Sequence, residues 1–166
     1  RFKPDQPCIT ICGGTGCLAL GSNKVAKAFK DAIKGNGKAG KVKVDLRFTG
    51  CHGFCEKGPL VVIKPQEIFY HSIKPDDAKE IIDSTIVNNK VVERLLYKDV
   101  KTEEKILRES DVPFYKHQMR LIFGQNGLID PTSIDDYIRI GGYSALVKVL
   151  FEMASEEVID EVDRAG

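Results

Sequence analysis

Four cysteines stand in two close pairs and are the residues of this chain best suited to chemistry. Four residues separate Cys12 from Cys17, and after a gap of 33 residues three residues separate Cys51 from Cys55. Soft thiolate ligands in tetrahedral arrangement select zinc or an iron-sulfur cluster. The spacing therefore predicts a four-thiolate metal centre and leaves both metals open.

The surroundings of the two pairs favour the cluster over zinc. Five glycines flank them, at Gly13, Gly14, Gly16, Gly50 and Gly53. Small residues let backbone N–H groups approach sulfur, and such hydrogen bonds help to set the potential of a cluster. Zinc often stabilises units too small to bury a core, which a chain of 166 residues does not require. In a [2Fe-2S] cluster each iron takes two thiolates, so Cys12 with Cys17 and Cys51 with Cys55 each serve one iron.

Other reactive side chains receive lesser roles. No Cys-x-x-Cys occurs, which argues against a thioredoxin-type redox dithiol. Cys8 begins an apolar stretch and is interpreted as a small buried hydrophobe. His52 lies inside the second cysteine loop but is not needed as a ligand, so we expect it beside the cluster or exposed. Lys57 is expected to be solvated.

The elements that position the cysteines follow from hydrophobic periodicity. Residues 8–11 predict a buried strand that leads into the first pair, and residues 22–35 predict a helix. Apolar and charged residues alternate over 42–48, which predicts a strand that leads into the second pair. A hairpin over 60–70 and a helix over 75–86 complete the pattern. This order resembles the sheet and helices of a thioredoxin-like α/β domain.

The rest of the chain predicts two further regions. Residues 91–125 are highly charged in the middle and are interpreted as a linker, with a short helix near Thr102. Residues 126–166 predict three short helices, the first starting at a capping box on Ser133 and the last capped by Ser155.

Composition excludes several functional classes. With 25 basic and 24 acidic residues the formal net charge is +1, which gives no reason to expect a nucleic acid partner. No apolar run approaches the length of a membrane span, and no signal peptide is visible, so the expected location is cytoplasmic. The chain starts at Arg1 and stops at Gly166, which suggests a piece of a longer protein.

The motifs around the cysteines resemble a known family. Residues 12–22, residues 49–61 and Tyr70 look like the thioredoxin-like [2Fe-2S] ferredoxin domain of NADH-linked oxidoreductases. Further matches resemble the start of the NADH- and FMN-binding flavoprotein subunit, at Gln118, 127–131, 135–137 and 141–146. This combination is similar to the beta subunit of soluble NAD-linked, often electron-bifurcating, hydrogenases and of some formate dehydrogenases.

The resemblance implies a function and a division of the chain. It implies a [2Fe-2S] ferredoxin domain over 1–90, a linker over 91–125 and a truncated helical lead-in over 126–166. The expected role is one-electron transfer within a multisubunit NADH-dependent oxidoreductase, with no substrate site in these residues. FMN, NAD(H) and [4Fe-4S] clusters are implied only for a longer parent chain, whose flavoprotein domain and other subunits are the expected partners. The alternative is a zinc-stapled interaction module for subunit docking.

Overall fold

A four-stranded mixed sheet organises the first part of the chain. The computed structural model describes residues 6–35 and 43–166. The strands are β1 (Cys8–Cys12), β2 (Asp45–Thr49), β3 (Val61–Lys64) and β4 (Ile68–Tyr70), in the order β2-β1-β3-β4. β1 and β2 are parallel, whereas β3 is antiparallel to both of its neighbours. Because β1 and β2 run the same way, the loops that follow them meet at one edge of the sheet.

Helices cover one face of this sheet, as the hydrophobic pattern predicts. They are α2 (Ser22–Gly35) and α3 (Asp77–Ile81), which continues as a π-helical stretch over Ile82–Val87, while the short α1 (Thr15–Ala19) precedes α2 in the chain. Ile9 and Ile11 of β1 pack with Phe29 of α2 in a fully buried core. The predicted strands and helices are confirmed here, while Asn36, Gly37 and Val42, which also entered those predictions, lie outside the described residues.

The segment predicted as a linker packs along the edge of β4 and onto the other face of the sheet. The backbone N–H of Phe69 donates to the Leu107 carbonyl at 2.8 Å, and Tyr70 pairs with Leu96. Tyr97 and other residues of the segment join a second buried cluster. Covering the edge strand satisfies backbone groups that would otherwise be left open to other chains.

Short elements make up this segment. They are a 3-10 turn (Glu93–Leu95), β5 (Tyr97–Lys98), β6 (Lys105–Ile106), a second 3-10 turn (Glu109–Asp111) and α4 (Pro113–Lys116). The short helix expected near Thr102 is wrong, because Thr102 lies in the turn between β5 and β6. The Asp99 carboxylate accepts the backbone N–H groups of Lys101 and Thr102 at 2.7 and 3.1 Å, which stabilises that turn.

The last part of the chain forms a second compact unit, Pro131–Gly166, whereas the first ends at Asp130. It contains the three expected helices, α5 (Ile134–Arg139), α6 (Ser144–Glu152) and α7 (Ser155–Ala165). The Ser133 hydroxyl caps α5 as predicted, accepting the N–H of Asp136 at 3.3 Å. The cap expected from Ser155 is wrong. Ala154 precedes α7 and its N–H donates to the Glu157 carboxylate at 2.7 Å.

The divisions expected after residues 90 and 125 both fall inside the first compact unit, because the segment between them supplies buried side chains. As boundaries of functional domains they stay a prediction. Among the described helices none is long and apolar enough to cross a membrane.

Candidate metal centre

The first cysteine pair is buried within regular structure. Cys12 is the last residue of β1 and Cys17 lies in α1, and each is only 1% exposed. Phe54 and Leu60 belong to the same buried cluster as these two thiols. The strand and the short helix therefore hold the pair in an apolar environment away from solvent.

The second pair lies at the same edge of the sheet but is more open. Cys51 follows the end of β2 after one residue and is half-buried, whereas Cys55 begins the 3-10 turn Cys55–Lys57 and is exposed. All five cysteines are free. The parallel pairing of β1 with β2 thus brings together two thiol pairs that lie far apart in sequence.

Contacts among the thiols change their acidity. A hydrogen bond donated by the Cys17 thiol lowers the pKa of Cys12 to about 5, against the opposing effect of burial. The same bond, together with burial, raises the pKa of Cys17 far above its usual value. Burial raises the pKa of Cys51, and the nearby Cys12 and Cys55 thiols add to that effect. The four sulfurs therefore lie close enough to influence one another.

Because they have no side chain, three glycines make room for the sulfurs. A Cβ on Gly14 would lie 2.9 Å from the Cys51 sulfur, and one on Gly16 would lie 2.9 Å from the Cys55 sulfur. A Cβ on Gly58 would lie 2.8 Å from the Cys17 sulfur. These separations are too short for real side chains, so any larger residue would displace a thiol. Gly58 lies within the family-like residues 49–61, three residues after Cys55, but was not among the glycines expected to serve the sulfurs.

Backbone N–H groups point at the sulfurs, as the glycine-rich loops predict. The N–H of Gly53 donates to the Cys51 sulfur at 3.3 Å. The backbone N–H groups of His52 and Gly14 also lower the pKa of Cys12. A backbone bond from Leu60 acts on Cys17 in the same way. Such donors stabilise negative charge on thiolates.

Two of the five selected glycines serve the backbone and not the sulfurs. A Cβ on Gly13 would lie 2.9 Å from the Thr49 carbonyl oxygen, and one on Gly50 would lie 3.0 Å from that of Asn126. These positions allow close approach between chain segments. The expectation that all five glycines serve the sulfurs is thus wrong for Gly13 and Gly50.

His52 is buried, so of its two expected positions, beside the cluster or exposed, the exposed one does not occur. It is 2% exposed, and its ring nitrogens meet the Thr49 hydroxyl at 2.9 Å and the Glu109 carboxylate at 2.5 Å. Burial opposes the ionisation of Glu109, but the bond to His52 still lowers its pKa. Sequence reasoning missed Glu109, which carries no motif and lies 57 residues from His52.

Two residues outside the centre were given minor roles, and the structure agrees. Cys8 is 3% exposed on β1, and burial raises its pKa to about 11, so it is a buried thiol as predicted. Lys57 is partly exposed and pairs with the Glu56 carboxylate at 2.9 Å.

The donor set fits a two-iron cluster. Such a cluster requires three features that are present here: two adjacent thiol pairs, glycines beside the sulfurs, and backbone N–H donors. Within residues 6–35 and 43–166 no three His, Cys, Asp or Glu side chains surround a single ion position. A two-iron cluster does not need such a group, because each iron takes two thiolates.

Several known proteins are similar to this chain. The chain matches the thioredoxin-like [2Fe-2S] ferredoxin family over residues 3–86. It is 34% identical to a 2Fe-2S ferredoxin of Clostridium pasteurianum over 79 residues, which are 48% of this chain and 76% of that protein. It also resembles the crystal structure of the thioredoxin-like [2Fe-2S] ferredoxin from Aquifex aeolicus, with a TM-score of 0.51 and 27% identity, covering 57% of this chain and 99% of that one.

A subunit of a larger enzyme is also similar. Over 51 residues the chain is 51% identical to the NADP-reducing hydrogenase subunit HndC of Solidesulfovibrio fructosivorans. These residues are 31% of this chain and 10% of that subunit. The family match covers half of the chain, and the fold agrees with it. The chain therefore belongs to the thioredoxin-like [2Fe-2S] ferredoxin family.

Proposed function

We propose that this chain transfers single electrons through a [2Fe-2S] cluster held by Cys12, Cys17, Cys51 and Cys55. The observation that carries the proposal is that these four thiols meet beside glycines. Any side chain at those glycines would enter the space that the sulfurs occupy. We assign Cys12 with Cys17 to one iron and Cys51 with Cys55 to the other. When bound, such a cluster accepts and releases one electron.

The protein residues supply the environment for that chemistry. Burial of Cys12 and Cys17 keeps water from one side, while the backbone N–H of Gly53 donates to the Cys51 sulfur. Hydrogen bonds and solvent exposure are the main protein influences on the potential of a cluster. The exposed Cys55 lies at the surface and gives an electron donor or acceptor a short approach.

We further propose that the chain works within a multisubunit NAD(H)-linked oxidoreductase. Similarity to a hydrogenase subunit supports this context, as does the flavoprotein-like pattern after Gln118. FMN, NAD(H) and [4Fe-4S] clusters then belong to a longer parent chain, whose flavoprotein domain and other subunits are the partners. A cytoplasmic location fits this proposal. Hydrogen, formate and a quinone are the candidate terminal substrates.

Metal analysis and spectroscopy test the cluster. We expect a red-brown protein with two irons and two acid-labile sulfides per chain, and a spin-half paramagnetic signal after reduction. Serine at Cys12 or Cys51 should remove the colour, whereas serine at Cys8 should leave it. A colourless protein that contains one zinc per chain would instead support the docking module and refute electron transfer.

Reduction by NADH tests the wider context. In the parent complex, NADH should produce the same spin-half signal that dithionite produces in the isolated chain. A cluster that dithionite reduces but that NADH leaves oxidised in the complex would remove the NAD link and keep the ferredoxin assignment.

A further inference from the structure

We propose that Glu109 is a positioning residue for the metal centre and acts through His52. The inference rests on the proposed cluster and adds a residue from outside the part of the chain that matches the family, which ends at residue 86. The imidazole of His52, a residue of the second cysteine loop, is buried.

Both nitrogens of the His52 ring are held by other side chains. One meets the hydroxyl of Thr49, the last residue of β2, at 2.9 Å. The other meets the carboxylate of Glu109, the first residue of a 3-10 turn, at 2.5 Å. The ring is 2% exposed, so water does not replace either partner. Its orientation is therefore fixed from the sheet on one side and from residues 109–111 on the other.

The backbone of His52 connects this ring to the second thiol pair. His52 directly follows Cys51 in sequence, and the N–H of the next residue, Gly53, donates to the Cys51 sulfur at 3.3 Å. A fixed ring fixes the Cα to which it is attached and hence the direction of the adjoining Gly53 N–H. Glu109 thus determines, through one histidine, a hydrogen bond to the sulfur of Cys51.

A second contact confines the ring from another direction. A Cβ on Gly127 would lie 3.2 to 3.5 Å from three atoms of the imidazole. The same segment is attached to the second cysteine loop, since the N–H of Gly50 donates to the Ile129 carbonyl at 3.1 Å. The segment that contains Gly127 therefore lies directly against the imidazole.

Two substitutions at Glu109 separate position from charge. Glu109→Gln and Glu109→Ala both remove the negative charge, but only glutamine keeps an oxygen that accepts from the imidazole. Loss of an N–H donor to sulfur disfavours the reduced cluster, which carries more negative charge. We expect the midpoint potential of Glu109→Ala to lie below that of Glu109→Gln, with a changed visible circular dichroism spectrum only for alanine. Glu103→Gln, at an exposed carboxylate, is the control for net charge.

A steric variant tests the same position without changing charge. Gly127→Ala should push the imidazole, lower the midpoint potential below that of the parent protein and change the visible circular dichroism as Glu109→Ala does. Gly35→Ala is the control, because a Cβ there meets nothing within 4 Å. This second variant decides the question if Glu109→Ala does not fold.

The outcomes separate this inference from the proposed function. If the unsubstituted protein holds no cluster, both the positioning role and the proposed electron transfer are overturned. If the unsubstituted protein holds the cluster but Glu109→Ala and Glu109→Gln have the same midpoint potential, Glu109 acts by charge alone. That result, or a parent-like potential and spectrum for Gly127→Ala, overturns the positioning role and leaves electron transfer intact.

Discussion

The two cysteine pairs have the same ligand chemistry but are built in different ways. Cys12 and Cys17 are each 1% exposed and lie on a strand and a helix. Cys51 is half-buried, Cys55 is exposed, and their loop is held by side chains of a distant segment. Regular structure thus positions the first pair, whereas tertiary contacts position the second. The difference shows that one centre can combine a rigid buried side with an accessible side.

Serine substitution should separate the two pairs most strongly. In Cys12→Ser the oxygen would have to ionise without water, so we expect complete loss of visible absorption. In Cys55→Ser, water solvates the oxygen, so we expect a cluster with shifted absorption bands. Iron and sulfide content after identical reconstitution is the measurement. Equal loss at both positions would show that exposure does not distinguish the pairs.

Removal of the metal should reveal the electrostatics of the buried pair through pH. The pKa of Cys12 falls from 9.0 to about 5 on folding, so between these values the unfolded chain binds a proton that the folded chain has released. Stability of the metal-free protein should rise across that window by on the order of a few kcal/mol, and should be lost as the pH falls through 5.

Above pH 9 the stability of the metal-free protein should fall as the pH rises. The reason is that Cys17 and Cys8 keep their protons in the folded chain while the unfolded chain releases them. Urea unfolding of the metal-free protein at several pH values checks both limbs. Cys12→Ser should abolish the rise, and a rise that persists in this variant would assign it to another group.

Alanine at two glycines compares the pairs sterically. In Gly58→Ala the new Cβ meets the buried Cys17 sulfur at 2.8 Å, and we expect a cost of about 1–3 kcal/mol and poor cluster incorporation. In Gly16→Ala it meets the Cys55 sulfur at 2.9 Å, but that exposed side chain can move, so the cost should stay below about 1 kcal/mol. Thermal unfolding and iron content measure both. Identical effects would contradict the distinction between a rigid and an adaptable pair.

Cys8→Ser should have the smallest effect and marks the limit of the centre. The thiol is 3% exposed, so a buried hydroxyl should cost about 1–2 kcal/mol. Visible absorption and midpoint potential should match those of the parent protein. Loss of iron in this variant would mean that the ligand set includes Cys8.

Much of the fold was predictable because its signals are local. Alternation along 42–48 and the helical period over 22–35 each arise from one face meeting a core, and β2 and α2 formed there. The edge strand β4 shows the limit. Residues 95–108 pair with this strand. The charge composition of the segment does not reveal the contacts on which that pairing depends. Its high charge predicted a linker, yet Leu95, Leu96 and Tyr97 join the buried clusters of the first unit.

The sequence by itself determined the ligand candidates, the strands that carry them and the family. Cysteine spacing and glycine density are local properties, and together they predict a metal centre ligated by thiolates. The tertiary structure alone decided which pair is buried, which glycines face sulfur and which distant residues hold the second loop. The reason is physical: burial and hydrogen-bond pairing depend on how segments meet in space, and nothing in the sequence around Glu109 states that His52 lies beside it.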